Sequence, residues 1–160
     1  MTPIEALNQY RGSDRLIVLL ATGLGSGLVP KMPGTVASVV ASILAWLFVW
    51  LTSPIAVVSV AVIGIFVCER AAKLLGQHDH QAIVWDEWSG LWLTYAIVLP
   101  STAAEFAGLL LFFRLFDILK PWPIRWADKQ VSGGLGIMVD DWLAGIMAAG
   151  SYWGLIHYAL

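Results

Sequence analysis

Three short segments of this chain set ionisable side chains inside otherwise apolar sequence. Ile83-Val84-Trp85-Asp86-Glu87-Trp88-Ser89-Gly90 holds two adjacent carboxylates between tryptophans. Phe113-Arg114-Leu115-Phe116-Asp117-Ile118-Leu119-Lys120-Pro121-Trp122-Pro123-Ile124-Arg125 adds one acid and three cations. A third segment runs from Ala127-Asp128-Lys129 through Gly133-Gly134-Leu135-Gly136 to Asp140-Asp141-Trp142. If Asp86, Glu87, Asp117, Asp128, Asp140 and Asp141 converge in one pocket, they repel one another unless a cation joins them. Oxygen-only ligands favour Mg²⁺ or Mn²⁺ over zinc or copper. Phosphate is the natural third party, bridging metal and guanidinium groups. Arg114 and Arg125 can hold it by a planar fork and Lys120 as a point charge.

Each segment also has a plainer reading. The Asp86-Glu87 pair could anchor a helix end at headgroup level and meet the helix dipole. Arg114 and Asp117, three residues apart, could form an intrahelical ion pair. Asp140 is placed to cap the last helix, although a cap needs only one acid. Acids embedded in membrane sequence are functional candidates by default, which favours the chemical reading.

Weaker signals lie elsewhere. His78-Asp79-His80 could supply a metal ligand or a general acid, or be a polar loop without a chemical role. The glycine-rich run Gly23 to Thr35 matches no nucleotide-binding pattern, but its amides and Lys31 could line a phosphate or headgroup site. His157 reads as interfacial and Cys68 as packing.

The elements that must position these residues are membrane helices. Of the 160 residues, 59% are apolar and 12% charged, against about 25% charged in an ordinary soluble domain. Apolar stretches cover Val36–Leu51, Ile55–Cys68, Trp88–Leu99, Phe106–Leu119 and Trp142–Leu160. Several are shorter than the roughly 20 residues that cross hydrocarbon. The Thr52-Ser53-Pro54 break makes the first two a helical hairpin. Met1 to Arg15 reads as a retained surface helix, and Leu16 to Val29 as a glycine-interrupted re-entrant loop. The expected architecture is one all-α polytopic membrane bundle over residues 1–160, with about four to five membrane helices. Threaded this way, all nine Lys and Arg share one side, which the positive-inside rule makes cytoplasmic. A net charge of −2 and the lack of a basic run exclude a nucleic-acid partner. The bilayer is the expected partner, and no protein partner is expected.

Taken together, Gly25-Ser26-Gly27-Leu28 with Pro33-Gly34-Thr35, His78-Asp79-His80 with Asp86-Glu87, and Arg114, Asp117, Lys120-Pro121 and Pro123 leading to Gly136-Ile137-Met138 and Asp140-Asp141 resemble the phosphatidylglycerophosphatase A family. The resemblance spans almost the whole chain. It implies a Mg²⁺-dependent enzyme of the bacterial inner membrane that takes the terminal phosphate from phosphatidylglycerophosphate, an anionic phospholipid, leaving phosphatidylglycerol. The family pattern maps onto Asp86, Glu87, Asp117, Lys120, Asp128, Asp140 and Asp141. Ala37 departs from it, standing where members often carry glycine.

No Cys-x5-Arg loop, Asp-x-Asp motif or histidine-phosphatase signature is present. Metal-activated water is therefore the expected route, with an aspartyl-phosphate through Asp117 or Asp86 as the alternative. Expected metal ligands are Asp86, Glu87, Asp117, Asp140 and Asp141. Expected catalytic groups are Asp86, Asp117, Lys120, Arg114 and Asp128, and expected substrate-binding groups are Lys31, Arg114, Lys120, Arg125 and His80. The rival from another class is a cation- or proton-coupled transporter, because buried acids also line ion pathways.

Overall fold

A computed structural model describes residues 2–78 and 80–159, with side chains through Ile156. The expectations for Asp79 and for the His157 side chain lie outside the described residues. Eight α-helices follow in order, with no strand among the described residues: α1 Pro3–Gln9, α2 Gly12–Ala21, α3 Pro33–Leu47, α4 Pro54–Leu75, α5 Trp85–Val98, α6 Ala103–Leu119, α7 Ile124–Gln130 and α8 Gly133–Ala159. Short 3-10 turns occupy Ser26–Leu28 and Val49–Thr52.

Helix starts follow local chemistry. Thr2 with Glu5 and Thr102 with Glu105 form capping boxes, each hydroxyl accepting from the third-residue amide while the glutamate accepts in return. The box explains Glu105, the one described acid at the far end of the bundle. Ser53 caps α4, whose first residue is Pro54.

α5 runs through the middle. Val84, Trp88, Leu91, Trp92 and Tyr95 are buried against α3, α6 and α8. The Trp92 indole donates to the Ala41 carbonyl at 2.9 Å, and the Tyr95 hydroxyl meets Ser42 at 2.7 Å. Side-chain contacts give the directions. Gly34 lies against Glu87, so α3 runs parallel to α5. Thr94 reaches Gly145, so α8 is parallel to α5 as well. Arg114 lies near Glu87 and Gly134 against Ile65, so α6 and α4 run the other way. One end of the bundle therefore gathers the starts of α3, α5 and α8, the ends of α4 and α6, and all of α7.

Several boundaries differ from the sequence reading. The N-terminal surface helix is two helices, broken at Tyr10-Arg11, and α2 continues to Ala21, so the glycine-rich connection begins only at Thr22. α4 extends seven residues past Cys68 because Glu69, Arg70 and Lys73 pair on its exposed face, with Asp14 and within the helix. α8 starts at Gly133 rather than near Trp142. Gly134 is held in that helix because a Cβ there would strike the Ile65 carbonyl of α4. Close packing thus overrides glycine's poor helix propensity. Asp140 is consequently no cap: it lies inside α8. Among the described residues only α4 is long and apolar enough to cross a membrane, and α3 is a shorter apolar helix.

Candidate active site

The site is built on a backbone-to-backbone crossing of α5 and α8. A Cβ at Gly90 would lie 2.5 Å from the Asp141 carbonyl, and one at Gly145 would lie 2.5 Å from the Gly90 carbonyl. Only glycine permits that approach. Thr94 stitches the same point, its hydroxyl lying 2.9 Å from the Gly90 carbonyl and 3.2 Å from that of Gly145. The Trp142 indole donates to Ser89 across it at 2.9 Å. Asp86 lies one helical turn before Gly90, and Asp141 one turn before Gly145. The crossing therefore brings acids from two helices side by side: one oxygen each from Asp86, Glu87 and Asp141 lies within 4.8 Å of the others.

These acids are removed from solvent, Asp141 being 3% and Asp140 8% exposed. Glu87 Oε2, Asp140 Oδ1 and Asp141 Oδ1 are buried without a hydrogen-bond partner. Buried polar atoms are otherwise nearly always paired. An all-oxygen cluster with orphaned lone pairs fits a hard divalent cation, and it can bind a metal ion.

α6 contributes the cations. Its last turns place Arg114 against Asp117 in an ion pair, with Nη1 3.8 Å from Glu87 Oε1. Arg114 Nε is buried with no partner. Lys120 follows the helix as its C-cap with φ 42°, an uncommon conformation for a side-chain-bearing residue. From there Nζ donates to Asp128 Oδ1 of α7 and to Asp140 Oδ2 of α8, both at 2.7 Å. Burial pushes the ammonium pKa down, but these hydrogen bonds and charges outweigh it and hold Lys120 above the ordinary lysine range.

α3 closes the site from its N-terminus. Met32, at φ 56°, precedes Pro33 and supplies no side-chain cap. A Cβ at Gly34 would fall on Glu87 Oε1, so glycine is what admits the carboxylate. The result is a cavity of about 260 Å³ lined by Met32, Pro33, Gly34, Gln81, Ile83, Asp86, Glu87, Arg114, Asp117, Lys120, Asp140 and Asp141. A smaller one of about 60 Å³ adjoins it, where His78, Asp86, Asp128 and Asp140 meet.

Seven of the residues singled out from sequence thus share one cavity, and Asp128 is joined to it through Lys120. Three do not line it. Lys31 and Arg125 are exposed. His80 turns back to accept the Ala82 amide on Nδ1 at 3.1 Å. His78 instead accepts the Gly133 amide on Nε2 at 2.9 Å, tying the start of α8 to the α4–α5 connection. Met32 and Gln81 were missed: both sit in polar or glycine-rich connections where nothing marks one side chain over its neighbours.

Comparison with known proteins identifies the family. The sequence model of the family described as Phosphatidylglycerophosphatase A matches residues 19–156. A protein of Escherichia coli (strain K12) named Phosphatidylglycerophosphatase A is 42% identical over 147 residues, covering 88% of this chain and 83% of the relative. One of that name from Haemophilus influenzae is 38% identical over 149 residues, covering 87% and 91%. A Bacteroides thetaiotaomicron protein, provisionally named a phosphatidylinositol-3-phosphatase, is 34% identical over 141 residues, covering 82% and 87%. No solved structure matches the chain. With the family pattern running through every helix that builds the cavity, the chain belongs to the phosphatidylglycerophosphatase A family.

Proposed function

We propose that this protein is a multi-pass phosphatase of the bacterial inner membrane. It hydrolyses phosphatidylglycerophosphate to phosphatidylglycerol and inorganic phosphate, uses Mg²⁺, and opens its cavity toward the cytoplasm. The observation that carries the reading is the convergence of Asp86, Glu87 and Asp141 with Arg114 and Lys120 in one cavity at the end of the bundle. A transport site would be expected near the bilayer midplane. Family membership supports lipid phosphatase chemistry.

The membrane reading rests on the outer surface. Ile55 is 82%, Phe66 70% and Leu111 70% exposed on the outer faces of α4 and α6. The nine Lys and Arg occupy the cavity end, which positive-inside bias makes cytoplasmic. A lipid phosphate reaches such a cavity without leaving headgroup level.

Asp86, Glu87 and Asp141, flanked by Asp117 and Asp140, are the groups that would hold the ion. When bound, Mg²⁺ supplies Lewis-acid polarisation of a phosphoryl oxygen. Arg114, oriented by Asp117, presents its unpartnered Nε to the phosphate. Lys120 has three N–H donors. Asp128 and Asp140 take two, which leaves the third for the transferring oxygens as charge develops on them. Asp140 Oδ1 accepts the proton of the attacking water.

The deciding experiment is phosphate release by the purified, detergent-solubilised protein. Phosphatidylglycerophosphate and phosphatidylinositol 3-phosphate are compared, each with Mg²⁺ and with a chelator. Release from the first alone, and only with Mg²⁺, is expected. No release under any condition would sink the reading, and faster release from the inositol lipid would reassign the headgroup.

A further inference from the structure

Phosphatidylglycerophosphate carries two phosphates. The one removed is the terminal monoester. A glycerol with one free hydroxyl joins it to the phosphodiester that stays on the lipid. The acids and cations gathered around Asp86, Glu87 and Asp141 account for the monoester alone.

Exposure orders the cavity lining by depth. Asp86, Asp140 and Asp141 are buried and form the floor, whereas Met32, 65% exposed, and Gln81 stand at the mouth. Gln81 is the one neutral polar side chain in the lining, and it has no partner among the described residues. Lys31 precedes Met32 in the chain, so its Cα is about 3.8 Å from that of a residue at the mouth. It is the only charged residue between Arg15 and Glu69, is exposed, and makes no ion pair among the described residues. Positive-inside bias explains a cation at this end of the bundle but not its position beside the mouth. The backbone sets that position. Pro30 and Pro33 fix φ on either side, and Met32 between them sits at φ 56°. Lys31 is held at the rim without a partner of its own.

The dimensions agree with two phosphates at two depths. Six bonds separate the phosphorus atoms of the lipid, about the 7 Å that six bonds of extended backbone span. A round cavity of about 260 Å³ is close to that width. With the monoester on the floor, the phosphodiester lies at the mouth and the glycerol hydroxyl between them.

We propose that the mouth is a second anion subsite, where Lys31 binds the retained phosphodiester and Gln81 hydrogen-bonds the glycerol hydroxyl. The proposal rests on the lipid-phosphatase reading and adds how the headgroup is selected. A phosphate monoester with no phosphodiester six bonds away engages the floor only. Lys31 touches no reacting atom, so its effect falls on KM rather than kcat.

The test pairs a change in the protein with the matching change in the lipid. Detergent-solubilised parent, Lys31→Gln and Lys31→Arg are assayed with Mg²⁺ on phosphatidylglycerophosphate and on its analogue methylated at the retained phosphate, which is thereby neutral. The parent is expected to lose about 10-fold in kcat/KM on the neutral analogue, the scale of one hydrogen bond to a charged group. Lys31→Gln should lose about 10-fold on the natural lipid, chiefly in KM, and show no further loss on the analogue. Lys31→Arg, which keeps the charge, should stay near the parent. Arg15→Gln removes an exposed cation that does not line the cavity, and it should match the parent on both lipids. Gln81→Leu should lose activity on the natural lipid and match the parent when propane-1,3-diol replaces the glycerol. A parent indifferent to methylation would overturn the subsite without any variant. So would a loss in Lys31→Gln of the same factor on both lipids, or an equal loss in Arg15→Gln. A parent inactive on phosphatidylglycerophosphate would overturn the phosphatase reading itself, and the subsite with it.

Discussion

Replacing Gly90 by alanine tests the architecture of the site without touching an ionisable group. The added methyl would lie 2.5 Å from the Asp141 carbonyl and 2.9 Å from the Phe113 ring, where ordinary contact begins near 3.4 Å. Neither the carbonyl nor the packed ring can swing aside, so α5 and α8 must separate by about 1 Å, an overpacking that costs about 1–3 kcal/mol. Asp86, Glu87 and Asp141 ride one turn from the crossing and move apart with it, loosening a cluster now gathered within 4.8 Å. Functional constellations tolerate about 0.5 Å. A 1 Å error costs on the order of 100-fold in rate. The expected result is about 100-fold slower phosphate release with a lowered Tm in detergent. Gly145→Ala should behave alike, because its Cβ meets the Gly90 carbonyl at the same 2.5 Å. The double variant should fall short of the product of the two losses, since one separation of α5 from α8 accommodates both added methyls. Gly150→Ala on the same helix is the control: nothing lies within 4 Å of its Cβ, so it should keep full activity. Turnover by Gly90→Ala within threefold of the parent, or an equal loss in Gly150→Ala, would refute the reasoning.

Three further outcomes follow from the cavity. Asp141→Asn and Glu87→Gln should abolish turnover, and Mg²⁺, which at 100 times its Kd stabilises the parent by about 2.7 kcal/mol, should no longer raise their Tm; an undiminished Mg²⁺ shift in both would remove them from the metal site. Gly34→Ala should cut activity yet leave Tm nearly unchanged, because its methyl meets the side-chain ends of Glu87 and Arg114 rather than backbone; thermal melts beside activity assays separate this from misfolding. Lys120→Met should lower kcat about 100-fold or more. Because the folded pKa of Lys120 is raised, its stabilising contribution is complete below the ordinary lysine value and is lost only as pH rises through the folded value. The acidic and neutral limbs of the rate profile of the parent should therefore carry no Lys120 titration, which a profile from pH 5 to 9 checks.

The acids of the site were legible because apolar surroundings make any carboxylate conspicuous. Asp86, Glu87, Asp117, Asp140 and Asp141 stand out for that reason, and their shared cavity needed only the up-and-down order of the helices. What brings them within ligand distance was not legible. Gly90 and Gly145 look like other small residues in apolar runs, and only the register of α5 against α8 gives them meaning. The run Gly133-Gly134-Leu135-Gly136 carried the opposite problem. Its composition argues for a turn, but close contact with α4 keeps it helical and carries Asp140 inside α8 rather than to its cap. Closeness along the chain also misled. Arg125 and His80 lie beside site residues in sequence, yet α7 turns Arg125 to the surface and a local hydrogen bond turns His80 back on its own loop.

The helices that frame the cavity are short. At 1.5 Å per residue, α3 with 15 residues and α5 with 14 reach about 22 Å. The hydrocarbon of a bilayer is about 30 Å thick. On the multi-pass reading proposed above, the surrounding leaflets must bend down to meet these helices, at an elastic cost of a fraction of a kcal/mol per Å. Lipids at the rim of the cavity are then already compressed and tilted before any of them is bound, and one that slides inward gives back part of that deformation. Turnover should accordingly rise or fall with the acyl length of the host bilayer, even when the substrate's own chains are held constant.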